Sequence, residues 1–166
     1  MSLIYLCGFM GCGKTTVGKT LAQIMGYDFI DIDSYIQFKY GMDIPQIFEE
    51  KGEDYFREIE TQSLIEINGE NKIISTGGGA LTFKNNADIT NKKGTVVYIQ
   101  TTFKECYSRI KNDKSRPIAS TKNYSQLAEL YKEREPLYIA SSKYIVSGND
   151  SVNNIVNKII SILPKI

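Results

Sequence analysis

The segment Gly8-Phe9-Met10-Gly11-Cys12-Gly13-Lys14-Thr15 has the spacing Gly-x-x-x-x-Gly-Lys-Thr. It stands between an apolar run, Leu3 to Cys7, and a helical pattern that begins at Lys14. Such a segment can wrap the phosphates of a nucleotide. Its glycines let successive backbone N–H groups turn inward, the following helix adds its positive end, and the lysine reaches the β- and γ-phosphates. Gly11, Cys12, Gly13, Lys14, Thr15 and Thr16 are therefore the expected nucleotide-binding residues, and the Thr15 hydroxyl is an expected Mg2+ ligand. A plain glycine-rich turn would need neither Lys14 nor Thr15.

Further chemistry-bearing groups lie downstream. Asp31-Ile32-Asp33 follows a second apolar run. If the segment is extended, both carboxylates project the same way, one toward a magnesium-bound water and the other toward an acceptor hydroxyl. Asp33 alone would also serve as the N-cap of the next helix. Gly77-Gly78-Gly79 after Ser75-Thr76 allows a close backbone approach to a ligand, although a triple-glycine turn is as often a plain connection. Arg57 and Glu60 stand at i and i+3, a spacing at which the carboxylate can orient the guanidinium toward a substrate carboxylate. Spacing alone favours an exposed pair of little energetic consequence. Arg116 and Arg134 are candidates for stabilising charge that develops during transfer, with a solvated surface charge as the bland alternative.

These groups need a scaffold. Apolar runs at Leu3 to Cys7, Phe29 to Ile32, Lys72 to Ser75, Thr95 to Ile99 and Tyr144 to Val146 predict five strands. Helical patterns run from Lys14 to Met25, Asp33 to Tyr40, Ile44 to Lys51 and Glu53 to Ile67, with Gly26, Gly41 and Gly52 at expected C-caps and Gly69 near the fourth end. Further helices are expected at Lys84 to Asn91, Thr102 to Lys111, Tyr124 to Ser141 and Ser151 to Leu163. This alternation predicts an α/β fold with a parallel sheet covered on both faces and ligands at the carboxyl ends of its strands. The polar stretch 112–123 is the expected mobile lid.

The bulk composition narrows the possibilities. With 166 residues, 42% of them hydrophobic, a single domain over 1–166 is expected. A net charge of +1 gives no global field for nucleic acid or an anionic membrane, and the basic residues Lys104, Arg109, Lys111, Lys114, Arg116 and Lys122 must act locally. Three cysteines and no histidine argue against a disulfide framework and a zinc site, and fit a reducing cytosol. Cys7 reads as buried. Cys12 reads as a small filler residue, or else as a partly exposed, oxidisable thiol. No signal-peptide pattern or transmembrane-length run is present, so a cytoplasmic protein is expected, and a monomer is the default.

Taken together and in this order, the motifs resemble shikimate kinase, a small member of the nucleoside monophosphate kinase fold. The resemblance rests on Gly8 to Thr16, Asp31-Ile32-Asp33, Gly52-Glu53 with Phe56-Arg57 and Glu60, Gly77 to Gly79, Arg109, Arg116-Pro117, and Arg134 with Pro136-Leu137-Tyr138. It implies a three-layer P-loop kinase fold with substrate-binding helices over about 33–67, and Mg2+-dependent transfer of the ATP γ-phosphoryl group to the 3-hydroxyl of shikimate. By resemblance, Arg57 and Arg134 bind the shikimate carboxylate, Glu60 orients Arg57, Asp33 meets the ring hydroxyls, Gly77 to Gly79 line the pocket and Phe56 packs beside the ring. Lys14 and Arg116 neutralise the moving phosphoryl group, Asp31 reaches magnesium through water, and Arg109 lies along the adenine. The base would also meet Ser147-Gly148-Asn149-Asp150.

Rival readings remain open at this level. A kinase for gluconate or a nucleoside monophosphate would use the same fold, although two arginines aimed at one carboxylate favour an acid. A GTPase should carry Asn-Lys-x-Asp, and Asn91-Lys92-Lys93-Gly94 lacks the Asp. A dinucleotide-binding oxidoreductase would need a glycine where Thr16 stands.

Overall fold

The computed structural model describes residues 3–164. Its sheet has five parallel strands in the order β2-β3-β1-β4-β5. The strands are β1 Leu3–Cys7, β2 Asp28–Asp31, β3 Lys72–Ser75, β4 Gly94–Gln100 and β5 Tyr144–Ser147. All five residues of β1 are buried, as a central strand covered on both faces requires, while the edge strands β2 and β5 are partly exposed. Leu6 and Cys7 point to opposite faces and so report the two helical layers. Leu6 meets α1 (Lys14–Met25) at Gly18, and the Cys7 thiol lies 3.3 Å from the hydroxyl of Ser142, just beyond α8 (Tyr124–Ser141). At Gly18 a Cβ would stand 2.5 Å from the Phe29 ring, which explains how closely α1 can lie on the sheet.

The remaining helices are α2 Ile32–Tyr40, α3 Ile44–Lys51, α4 Glu53–Glu66, α5 Lys84–Lys93, α6 Phe103–Ile110, α7 Pro117–Thr121 and α9 Val152–Ile162. The connection from β1 leaves toward β2 and the one from β4 leaves toward β5, so the chain changes direction between neighbouring strands β1 and β4. A crevice at the carboxyl ends of the strands is expected at such a point.

Three local details differ from the expectations. β2 ends at Asp31, and Asp33 lies in the first turn of α2 instead of extending the strand. The N-cap is Asp31, whose Oδ1 accepts from the Ser34 N–H at 3.0 Å. Gly26, Gly41 and Gly52 are C-caps as expected; the first two are left-handed, while Gly52, at φ 85° and ψ 168°, donates its N–H to the Phe48 carbonyl at 3.0 Å and is also the N-cap of α4. The end of α4 relies on no glycine. The Lys93 ammonium donates to the carbonyls of Leu64, Ile65 and Ile67 at 2.9, 2.6 and 2.8 Å, satisfying acceptors that a helix terminus leaves open. Finally, the stretch 112–123 contains α7, where Pro117 at the first helical position presets the backbone and Ala119 is buried.

Candidate functional site

The loop between β1 and α1 is held in shape from within. Gly11 and Gly13 have φ of 82° and 100°, which side-chain-bearing residues rarely adopt, and Gly13 is the N-cap of α1. Lys14 is buried. Its ammonium donates to the carbonyl oxygens of Gly8 and Phe9 at 2.7 and 3.3 Å and lies 3.7 Å from the Cys12 sulfur. Cys12 is only 1% exposed, so it fills the loop's interior, which rules out the partly exposed thiol. Arg109 on α6 donates to the Gly11 carbonyl at 2.9 Å and pairs with Glu105 at 3.1 Å.

Asp31 joins this loop through its second oxygen. The Thr15 hydroxyl donates to Asp31 Oδ2 at 3.1 Å, so a single carboxylate caps α2 and faces the first turn of α1. Asp33, in the first turn of α2, is brought to the same cavity by helical geometry and not by strand alternation. Burial and the neighbouring Asp31 raise its pKa, while Lys14, Arg116 and Arg57 pull it down. A carboxylate whose pKa is raised in this way is a stronger base than a free one.

A second group of side chains gathers at the glycine triad after β3. Arg57 and Glu60 on α4 form an ion pair at 2.8 Å with 14% and 0% side-chain exposure, so the surface pair that spacing favoured is a buried one. Burial pushes the Glu60 carboxyl up to about 7 against the pull of Arg57. Glu60 Oε2, Arg57 Nε and Arg134 Nη1 are buried without a hydrogen-bond partner. A Cβ on Gly79 would lie 2.7 Å from Arg57 Nη2 and 2.9 Å from Arg134 Nη2. One on Gly77 would lie 2.6 Å from Glu60 Oε2 and 3.3 Å from Asp33 Oδ1. Two guanidinium groups thus converge beside one main-chain position, an arrangement suited to binding a carboxylate.

These two groups line adjoining cavities. The larger, about 790 Å³, is lined by Gly11, Gly13, Lys14, Thr15, Thr16, Asp31 and Arg109, and also by Gly148, Asp150, Val152 and Ile155 from the segment after β5. The smaller, about 70 Å³, is lined by Arg57, Glu60, Arg134, Gly79 and Phe56. Asp33, Gly77, Gly78 and Arg116 border both. A nucleotide-sized space therefore opens onto an acid-sized one, with a carboxylate and an arginine at the junction.

Sequence patterns left some lining residues unnamed. Ile44 and Phe48 line the smaller cavity and carry no chemistry by which a pattern could flag them. Asp113 accepts from Arg116 Nε at 2.9 Å and so holds that arginine within residues 112–123. In the sequence Tyr138 stands out only as part of the motif around Arg134. Its hydroxyl donates to the Gly78 carbonyl and ties α8 to the triad.

Comparisons with known proteins agree with the fold. A model of the shikimate kinase family matches residues 10–164. The shikimate kinase of Sulfurihydrogenibium sp. is 40% identical over 162 residues, covering 97% of each chain. Among solved structures, shikimate kinase from Acinetobacter baumannii in complex with shikimate has a TM-score of 0.93 at 39% identity, covering 98% of this chain and 92% of its own. A gluconokinase from Sinorhizobium meliloti has a TM-score of 0.54 at 13% identity, covering 96% and 90%, a likeness of fold alone.

Proposed function

The chain belongs to the shikimate kinase family, and from that membership and the joined cavities we infer that it transfers the γ-phosphoryl group of ATP to the 3-hydroxyl of shikimate. The products are shikimate 3-phosphate and ADP, in the path toward chorismate and the aromatic amino acids. The observation that carries this reading is the pair of guanidinium groups converging at Gly79, beside the junction where Asp33 and Arg116 meet the phosphate loop. A nucleotide acceptor does not suit a small cavity that offers a site for a carboxylate and no room for a second base; gluconate, itself a carboxylate, is disfavoured by the family membership and not by the cavity.

In this reading the shikimate carboxylate bridges Arg57 and Arg134, and Glu60 keeps Arg57 aimed at it. Gly77 to Gly79 let the ring approach the main chain, with Phe56 beside it. Asp33 orients the 3-hydroxyl and takes its proton as the hydroxyl oxygen bonds to the γ-phosphorus and the bond to the ADP oxygen breaks. Lys14 and Arg116 stabilise the phosphoryl oxygens. Because the transition state for such transfer is loose, positioning and charge neutralisation outweigh proton abstraction. Gly11, Cys12, Gly13, Thr15 and Thr16 line the phosphates, while Arg109 and the residues after β5 flank the base.

The Thr15 hydroxyl and the Asp31 carboxylate, 3.1 Å apart at the loop, are hard oxygen donors that fit magnesium held largely by phosphates and water. Thr15 would bind the ion directly and Asp31 through water. When bound, Mg2+ neutralises charge on the β- and γ-phosphate oxygens.

We further propose that residues 112–123 close over the filled site and so exclude water, a competing acceptor. Residues 1–166 are read as one domain acting as a cytoplasmic monomer with no nucleic-acid or membrane partner. A near-neutral charge supports the absence of a nucleic-acid or anionic-membrane partner, and among the described residues no helix is long and apolar enough to cross a membrane. The reaction is tested by identifying the product: incubation with Mg-ATP and shikimate should yield the 3-phosphate by mass spectrometry and 31P NMR. A product phosphorylated elsewhere, or none, would contradict the assignment.

A further inference from the structure

Arg57 has an aromatic neighbour outside the cavity it serves. Its guanidinium carbon lies 5.2 Å from the ring centroid of Phe56, the preceding residue on α4, and 5.4 Å from that of Phe83. Both distances fall within the range of a cation–π contact. The two rings differ in every other respect. Phe56 is buried and lines the small cavity, whereas Phe83 is 47% exposed and does not line it. A half-exposed phenylalanine contributes little to a core, yet this one is carefully located.

Its location is fixed through the glycine triad. The chain passes from Gly79 into a single 3-10 turn, Ala80–Thr82, closed by hydrogen bonds from Ala80 N–H to the Gly77 carbonyl at 3.1 Å and from Thr82 N–H to the Gly79 carbonyl at 3.3 Å. Phe83 follows at once. Asn86, buried on the first turn of α5, donates to the Ala80 carbonyl at 2.9 Å and accepts from the Thr61 hydroxyl at 2.7 Å. Thr61 lies one turn beyond Arg57 on α4. The Phe83 backbone is therefore braced against the helix that carries Arg57.

We propose that Phe83 is a positioning residue for substrate binding: its ring fixes the tilt of the Arg57 guanidinium and so aims it at the shikimate carboxylate. Glu60 grips only one edge of that group, through Nη1 at 2.8 Å. Nη2 donates to the Glu53 carboxylate at 3.4 Å, a long bond to a largely exposed partner that fixes the tilt of the guanidinium only weakly. The ring removes that freedom while touching no substrate. The inference rests on the proposed function and deepens it at the same site.

The test compares wild-type protein with Phe83→Leu, which keeps apolar bulk but removes the π face, and with Phe83→Tyr, which restores the face. Each is measured for KM of shikimate, KM of ATP, kcat and Tm. Phe83→Leu should raise the shikimate KM about three- to ten-fold, the range of a partly desolvated cation–π contact, with ATP KM, kcat and Tm close to wild type. Phe83→Tyr should return the shikimate KM to within about two-fold. An unchanged shikimate KM in Phe83→Leu would overturn the proposal. So would equal rises in both KM values, or a defect accompanied by a large fall in Tm that Phe83→Tyr leaves uncorrected. A wild-type protein that turns over ATP without responding to shikimate would instead overturn the underlying functional reading, and this assignment with it.

Discussion

Gly79→Ala separates the acid site from the rest of the molecule. The backbone there has φ −99°, ordinary for alanine, so the substitution introduces no main-chain strain. The new methyl would lie 2.7 Å from Arg57 Nη2, 2.9 Å from Arg134 Nη2 and 3.0 Å from Arg57 Nη1. Carbon contacts settle at about 3.5–4.0 Å, so both guanidinium groups must retreat by roughly 0.5–1 Å. The atoms that must move are the ends of flexible side chains, which makes the change cheap for folding. It is costly for recognition, because a misplacement of about 1 Å in a binding constellation can reduce turnover about 10²-fold. The expected result is a fall in kcat/KM for shikimate of about 10- to 100-fold, equivalent to about 1.4–2.7 kcal/mol. Replacing glycine restricts the unfolded chain by about 0.4–1 kcal/mol, so Tm should stay within a few degrees. Steady-state ADP release with each substrate varied in turn, alongside a thermal melt, measures all of this. A normal shikimate KM would refute the two-arginine site, as would an equal loss of apparent ATP affinity.

Other perturbations reach different parts of the account. Arg116→Ala should lower kcat by about 10²-fold, the cost of removing one charge-stabilising donor; a change confined to the shikimate KM would contradict its role at the phosphoryl group. Hydrogen exchange across 112–123 should slow when ATP and shikimate are both present, and an unchanged rate would end the lid proposal. Glu60 carries a pH signature. Below about 4.5 it is protonated in folded and unfolded chains alike. Between about 4.5 and about 7 the folded protein retains a proton that the unfolded chain has released, so this contribution to stability is lost as pH rises through that window. The Tm advantage of wild type over Glu60→Gln should therefore shrink between those pH values, and a difference independent of pH would show that burial does not hold the proton there.

How much of this could be read from residues alone depended on whether a feature was local. The phosphate loop, the order of strands and helices and the ends of α8 follow from glycine spacing, apolar periodicity and capping residues within a few positions of each other. The join of β2 and α2 did not, since Asp31-Ile32-Asp33 satisfies both strand alternation and a helix start, and pairing of Asp31 with Ser75 at the end of β3 decides where the ladder stops. α7 was hidden because Ile118 and Ala119 are a short apolar patch inside a polar stretch. Spacing could suggest that Arg57 and Glu60 meet, but their burial depends on α4 turning that face toward the triad. Phe83 gave no signal, since its partner is 26 residues earlier in the chain.

The most direct test of the central claim is ADP release by the purified protein with Mg-ATP, comparing shikimate, gluconate, nucleoside monophosphates and no acceptor. Strong stimulation by shikimate, with the other acceptors near the no-acceptor rate, is the predicted result. Equal stimulation by gluconate or a nucleotide, or tight ATP binding with no response to shikimate, would contradict it.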